Sequence, residues 1–272
     1  MVPVIDNPRS PRVRAAAKLA KKNQRVETGL FLIEGPQAVA EALQYRPDLV
    51  TEVFATASAL DRHSAIDRAA ESAGVRVDMV TDAVLEAIAD TVTPQGVIAV
   101  CRQFPVALDD LLAQRPRLVA VLEEVRDPGN AGTIIRVADA AGADAVILTG
   151  NSVDVFNPKA VRATTGSLFH LPVVVGVALE STVERLRATG ARILAADVSG
   201  DDLLAVRSAG DLDGATAWVF GNEARGLTAE QLALADRAVT VPIYGRAESL
   251  NLATAAAVCL YESAFAQREA VG

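Results

Sequence analysis

The sequence predicts a two-domain α/β protein, and three observations predict it. Apolar strand candidates alternate with helical patterns in two separate series. A less regular, proline-bearing stretch divides them, and polar, glycine-containing blocks recur where strands of the second series meet helices. Alternation of this kind implies βαβ units and a parallel or mixed sheet covered on both faces. With 272 residues, 51% hydrophobic and 22% charged, the chain can bury a core for each series and is not of disordered composition.

In the first series, strands are expected at 30–34, 50–55, 75–80 and 97–102, with helices at 37–44, 57–73 and 82–88. A domain over 27–103 follows, then a connector over 104–116 with two prolines and a short apolar helix. The second series, 117–272, has strands at 118–122, 145–148, 173–175, 193–197, 217–220 and 239–243. Helical patterns lie between them at 132–141, 158–166, 179–188 and 229–235. The chain closes with an alanine-rich helix over 250–267. Its Leu250, Ala253, Ala257, Leu260 and Ala264 form one stripe at helical spacing.

Composition excludes several classes. No apolar run reaches the length of a membrane span, and the N-terminus lacks a secretory pattern. Cys101 and Cys259 cannot build a disulfide framework, which fits a reducing cytoplasm, and with His63 and His170 they give no zinc-ligand spacing. The net charge of −8 disfavours a polyanionic partner until its distribution is considered. Residues 1–26 carry Arg9, Arg12, Arg14, Lys18, Lys21, Lys22 and Arg25 against Asp6 alone. A basic arm on an acidic body reads as an interaction segment or as a solvated amphipathic helix.

Three blocks carry the chemistry. The first runs from Asp127 to Arg136, where Pro128 and Gly129 turn the chain and Asn130 is placed to cap a helix. Arg136 follows among apolar neighbours, an arrangement that suits a cleft or partner. The second, Gly221-Asn222-Glu223-Ala224-Arg225-Gly226-Leu227, approaches a phosphate loop, but Leu227 replaces the lysine that loop requires. No strand is followed by the dinucleotide glycine fingerprint, which weakens a nucleotide-dependent oxidoreductase. In the third, Ser249 fits an N-cap, while Asn251 in a first helical turn lacks a structural reason.

These blocks resemble those of the SpoU/TrmH family of RNA ribose 2′-O-methyltransferases, in the SPOUT superfamily. The matching residues are Asn130-Ala131-Gly132 with Arg136, Gly221 to Leu227, and Ser249-Leu250-Asn251; the run from Asn157 to Ser167 is also similar. The resemblance covers roughly 118–266. More loosely, Phe31-Leu32-Ile33-Glu34-Gly35 and Thr93-Pro94-Gln95-Gly96 resemble the family's smaller, ribosomal-protein-like α/β substrate-binding domain. Thiostrepton-resistance enzymes share this layout.

The resemblance implies a C-terminal SPOUT-type parallel sheet with a deep trefoil knot that cradles S-adenosyl-L-methionine. It implies methyl transfer to a ribose 2′-hydroxyl of RNA, ribosomal RNA before transfer RNA, by a cytoplasmic homodimer. Arg136, Asn130, Glu223, Ser249 and Asn251 are the implied catalytic set. Gly221, Val241, Ile243 and Leu250 are the implied cofactor contacts. Arg162, Arg225, Arg12, Arg14, Lys18, Lys21 and Lys22 are expected to hold RNA. A protonated guanidinium is an awkward base, so Arg136 is expected to stabilise a developing alkoxide. The alternative from another class is a non-catalytic RNA-binding adaptor of the same fold.

Overall fold

A computed structural model describes residues 4–270 and divides the chain into two compact units. One comprises residues up to Phe104 together with Asp154–His170; the other comprises Pro105–Val153 and the chain from Leu171 onward.

The first unit begins with two helices, α1 (Pro11–Lys18) and α2 (Lys22–Thr28). Ser10 caps α1 by accepting from Val13 N, and Gly29 ends α2 at φ +66°. Then follow β1 (Leu30–Glu34), α3 (Pro36–Tyr45), β2 (Val50–Ala55), α4 (Ala57–Arg62), α5 (Ser64–Ser72), β3 (Val77–Met79), α6 (Asp82–Ile88) and β4 (Val97–Arg102). The sheet order is β1-β4-β2-β3, antiparallel except for the parallel β2/β3 pair. The single helix expected over 57–73 is two, because His63 leaves the helical region at φ −127°, ψ 49°.

The basic arm is built into this unit. Val13, Ala16 and Leu19 are buried in one core cluster with Leu32, Phe54 and Ile98. Arg25 is 1% exposed. Its Nε and Nη2 donate to Asp154 Oδ2 (2.9 and 2.6 Å), and its Nη1 donates to the carbonyls of Leu19 and Ala20 (2.8 Å each). A buried guanidinium is tolerable only when its donors are met in this way. Arg12 pairs with Glu52 (2.8 Å) and Asp78.

In the second unit, α7 (Leu108–Ala113) precedes β5 (Leu118–Glu123), α8 (Pro128–Ala141) and β6 (Ala145–Thr149). The expected connector belongs here from Pro105 onward, since Leu108 and Leu111 join this unit's core, while Phe104 stays with the first unit. Residues 154–170, expected in the second domain, belong to the first unit with α9 (Pro158–Thr164). Their Phe156 and Phe169 pack on Phe31 and Phe104, with a Phe31–Phe156 centroid distance of 4.8 Å. Aromatic burial overrides sequence order in setting this boundary.

The second unit continues with β7 (Val173–Val177), α10 (Leu179–Ala188), β8 (Arg192–Asp202), α11 (Leu203–Ser208), β9 (Thr216–Phe220), α12 (Ala229–Leu232), β10 (Arg237–Thr240) and α13 (Leu252–Glu269). Its six strands are all parallel, in the order β10-β8-β9-β5-β6-β7. Every residue of β5, β6 and β9 is buried, as both-face coverage demands. β8 runs longer than expected and crowds β10: a Cβ at Gly200 would sit 2.3 Å from Val239 N. In α13, Ala253, Leu260 and Ala264 are buried as expected, Ala257 is half-buried, and Leu250 lies before the helix, exposed. The helix packs on α8, and Trp218 Nε1 donates to Ser263 Oγ (2.8 Å) to fix it over β9. Among the described residues no helix is long and apolar enough to cross a membrane.

Candidate active site

The order of the parallel strands reverses between β5 and β9. Ligands of open α/β sheets settle beyond the carboxyl ends at such a point. There the loop after β9 meets the start of α8 and the start of α13.

Glu223 makes the junction. Its Oε2 accepts from Arg126 N (3.0 Å), and its Oε1 accepts from Asp127 N (2.9 Å) and Asn130 Nδ2 (3.2 Å). Asn130 Oδ1 in turn accepts from Asn251 Nδ2 (3.1 Å). Asn251 Oδ1 accepts from Ala253 N (2.9 Å) and Thr254 N (3.3 Å), so it is the N-cap of α13. The three blocks are thereby one hydrogen-bonded chain. Burial raises the Glu223 pKa, but the backbone N–H groups of Arg126 and Asp127 and the Asn130 amide outweigh it and hold the carboxyl below the ordinary value.

Two capping expectations are corrected. Asp127, not Asn130, caps α8, accepting from Asn130 N (2.9 Å). That frees the Asn130 amide to bridge blocks. Asn251, not Ser249, caps α13, which supplies the structural reason its position lacked in the sequence.

The second block is a closed loop. Asn222 pairs with Gly226 across it, and Asn222 Oδ1 accepts from Ala224 N (3.0 Å) and Arg225 N (3.3 Å). A Cβ at Gly221 would meet Gly226 C at 2.6 Å, so only glycine lets the two loop ends touch. Leu227, where a phosphate loop needs lysine, is buried in the core.

Beside this junction lies a cavity of about 340 Å³. Val239, Val241, Ile243 and Leu250 give it apolar walls, and Glu223, Arg225 and Ser249 give it polar ones. Gly221 is not among its lining residues; it shapes the loop. Arg225 is paired with Glu124. Arg136 is exposed on α8 and does not line the cavity. Arg162 lies in the first unit, donating to Glu34 Oε1 (3.1 Å) and Asp90 Oδ2 (2.9 Å). Arg14, Lys18, Lys21 and Lys22 are exposed, whereas Arg12 is engaged in its two ion pairs.

Sequence reasoning missed Glu124 and Asp197. Glu124 adopts φ +50°, accepts from Asn222 Nδ2 through its carbonyl (2.9 Å) and holds Arg225. Its signal was the acidic pair closing an apolar strand. Asp197, in the unexpectedly extended β8, lines the cavity. Before Glu124, buried Glu123 accepts from Thr149 Oγ1 and from Gln231 Nε2 (2.8 Å), and burial pushes its pKa up.

An all-parallel sheet with these blocks joined at its switch point beside an apolar-walled cavity is typical of SPOUT methyltransferases. The chain belongs to the SpoU rRNA methylase family, whose sequence model matches residues 117–261, and residues 32–107 match the RNA 2′-O ribose methyltransferase substrate-binding model. It is an RNA 2′-O-methyltransferase. The chain is 37% identical over 94% of its length, and 97% of the relative's, to the Bacillus subtilis 23S rRNA (guanosine(2553)-2′-O)-methyltransferase RlmP. It is 33% identical to a Streptomyces viridochromogenes 23S rRNA (uridine(2479)-2′-O)-methyltransferase, over 91% of this chain and 86% of that one. Among solved structures, an AdoMet-bound rRNA methyltransferase from Sinorhizobium meliloti is similar with a TM-score of 0.83 and 32% identity, covering 96% of this chain and 97% of that one.

The lowered Glu223 pKa has a readable consequence. Its hydrogen bonds are fully present above the ordinary glutamate value of about 4.3 and are lost as pH falls through the lowered folded value. In NMR spectra, the backbone amides of Arg126 and Asp127 are expected to titrate together, with a midpoint below that ordinary value. Glu223→Gln should remove the transition, and its persistence in that variant would assign it to another group.

Proposed function

We propose that this enzyme transfers a methyl group from S-adenosyl-L-methionine to a single ribose 2′-hydroxyl of 23S ribosomal RNA. One observation carries this reading: the Glu223–Asn130–Asn251 chain, which joins all three blocks at the rim of the apolar-walled cavity. The cavity fits the cofactor. Its size and mostly apolar walls with a few polar groups are those of a small-molecule site. Val241, Ile243 and Leu250 would hold the apolar body, with the loop at 222–226 beside them. Bound there, S-adenosylmethionine supplies an electrophilic methyl group on a sulfonium.

The chain's own residues position the ribose and its developing charge. Asn130 and Asn251 are locked to each other, so each presents its amide in one orientation. Ser249, on the cavity wall, can hydrogen-bond the sugar. Arg136, outside the cavity wall of a single chain, is assigned the forming alkoxide once the dimer and bound RNA bring the ribose to it, with the hydroxyl proton passing to water. Fixing nucleophile and electrophile in line can contribute about 7–11 kcal/mol. The named relatives act on guanosine and on uridine, so the fold alone does not dictate the base.

The working form is a homodimer in the cytoplasm. Arg136 is exposed on α8, while Tyr244 (85% exposed), Leu250 and Phe265 leave apolar surface in the same unit uncovered. Exposed large apolar side chains in this unit are the surface we assign to the partner protomer. Arg14, Lys18, Lys21 and Lys22 contact RNA phosphates from an ordered helical platform. Deleting the arm would remove core residues, so charge substitutions are the proper probe.

With labelled cofactor and RNA from cells lacking the gene, methylation should map to one 23S nucleotide. Label confined to transfer RNA, or none, would overturn the reading. Arg136→Ala is expected to abolish transfer while calorimetric affinity for the cofactor stays within about twofold. Replacing Lys18, Lys21 and Lys22 with Ala should lower the salt slope of RNA binding by about 2; an unchanged slope would remove them from the interface. Light scattering should give twice the mass of one chain, and a monomer at micromolar concentration would exclude the dimer.

A further inference from the structure

Glu123, the last residue of β5, is 6% exposed and takes no part in the transfer described above. Two neutral neighbours fix its carboxyl. Oε1 accepts from Gln231 Nε2 of α12 (2.8 Å), and Oε2 lies within hydrogen-bond distance of Thr149 Oγ1 at the end of β6. Gly150, at φ +59°, keeps this space open, since a Cβ there would lie 3.1 Å from Glu123 Oε1. Among the described residues no cation pairs with the carboxyl. The charged groups that face it are Glu124 beside it, Glu180 on α10 and Arg225 on the loop after β9, and Arg225 is already paired with Glu124.

Counting protons shows which form fits. Gln231 Oε1 accepts from Thr228 N (2.9 Å), so the Gln231 amide group can only donate and Glu123 Oε1 must accept. Thr149 Oγ1 has one proton and two acceptors in reach, Glu123 Oε2 and the Leu122 carbonyl (3.3 Å). An ionised Glu123 leaves one of those contacts without a proton. A proton on Oε2 lets the acid donate to Thr149 Oγ1 while Thr149 donates to Leu122. Burial, with Glu124 and Glu180 nearby, favours that proton against the pull of the Thr149 hydrogen bond.

The bridge has a mechanical consequence. Gln231 forms a capping box with Thr228, which directly follows the Gly226-Leu227 end of the second block. The other end of that block is held by Glu124, whose carbonyl accepts from Asn222 Nδ2 and whose carboxylate pairs with Arg225. Consecutive glutamates of β5 thus grip the loop from its two sides.

We infer that Glu123 is a positioning residue: as a neutral acid it braces Gln231, and through Thr228 it holds the loop at 222–226 against the cavity. The inference rests on the reading of that cavity as the S-adenosylmethionine site. Ionisation would set a second carboxylate beside Glu124, divide Arg225 between the two and draw the loop from its place. Because burial raises the folded pKa of Glu123, the brace is complete at low pH and is lost as pH rises through that folded value.

The test compares the full-length protein with Glu123→Gln, whose carboxamide keeps an acceptor for Gln231 and a donor for Thr149 but cannot ionise. Measured by calorimetry against that variant at each pH, wild-type affinity for S-adenosylmethionine should weaken about tenfold across the Glu123 transition. Glu123→Gln should retain the tight form throughout, whereas Gln231→Ala should bind weakly at every pH. Without cofactor, the backbone amides of residues 222–228 should follow a transition with its midpoint above the ordinary glutamate value of about 4.3. That transition should be missing from Glu123→Gln. Parallel affinity profiles for wild type and Glu123→Gln, or amides that titrate identically in both, would overturn the brace. If the wild type binds no S-adenosylmethionine at any pH, the cofactor reading fails alone, and the amide titration still decides the brace.

Discussion

The site depends on one carboxylate facing three donors. Glu223 sits just past β9, yet its partners are the two backbone N–H groups immediately before α8 and a side chain in its first turn. The first N–H groups of a helix and its approach have no intrahelical acceptor. A negative group placed there also meets the positive end of the helix dipole. Glu223 therefore closes the gap between β9 and β5, the two strands that flank the switch point. Through Asn130 the same contact reaches Asn251, and so sets where α13 begins.

That constraint explains why several other positions carry the residues they do. A loop short enough to hold Glu223 against α8 must fold back on itself, and Gly221 is where its ends collide unless the side chain is absent. Asn222 satisfies the loop's inner N–H groups and also donates across to the Glu124 carbonyl, so the loop cannot swing away from β5. Glu124 accepts a left-handed backbone to make that contact, a conformation costly for a side chain other than glycine. The strain and the paired polar groups fall on the same few residues, next to the cavity.

Much of this was legible in the sequence. β1, β2 and β4 lie where alternation and apolar runs placed them, and the three blocks lie at the strand ends that make a switch-point site. Less legible were features set by partners distant in sequence. Asn251 looked unexplained because Ser249 offered a rival cap two residues earlier, and its second partner, Asn130, is 121 residues away. The arm looked like a free basic tail because Val13, Ala16 and Leu19 have too short a pattern to announce a core. Residues 154–170 read as part of the second series by order alone. Their phenylalanines find Phe31 and Phe104 only in three dimensions. Periodicity reports which face of an element is buried, not which unit buries it.

Charge placement links the fold to the RNA it must bind. Arg12, Arg25, Arg162 and Arg225 are each held by carboxylates of the same chain. A paired guanidinium releases little counterion when nucleic acid approaches, because its charge is already compensated. An acidic protein that spends these arginines internally gives up much non-specific attraction to RNA. It keeps a small exposed basic set on the α1–α2 segment, and a hydrogen-bonded polar junction beside its first cavity. Recognition built this way penalises a wrong RNA through unmet polar groups, with the salt-dependent part of binding confined to that exposed set. An enzyme that methylates ribose in RNA, where every nucleotide offers the same sugar, gains more from that discrimination than from tight, indifferent adhesion.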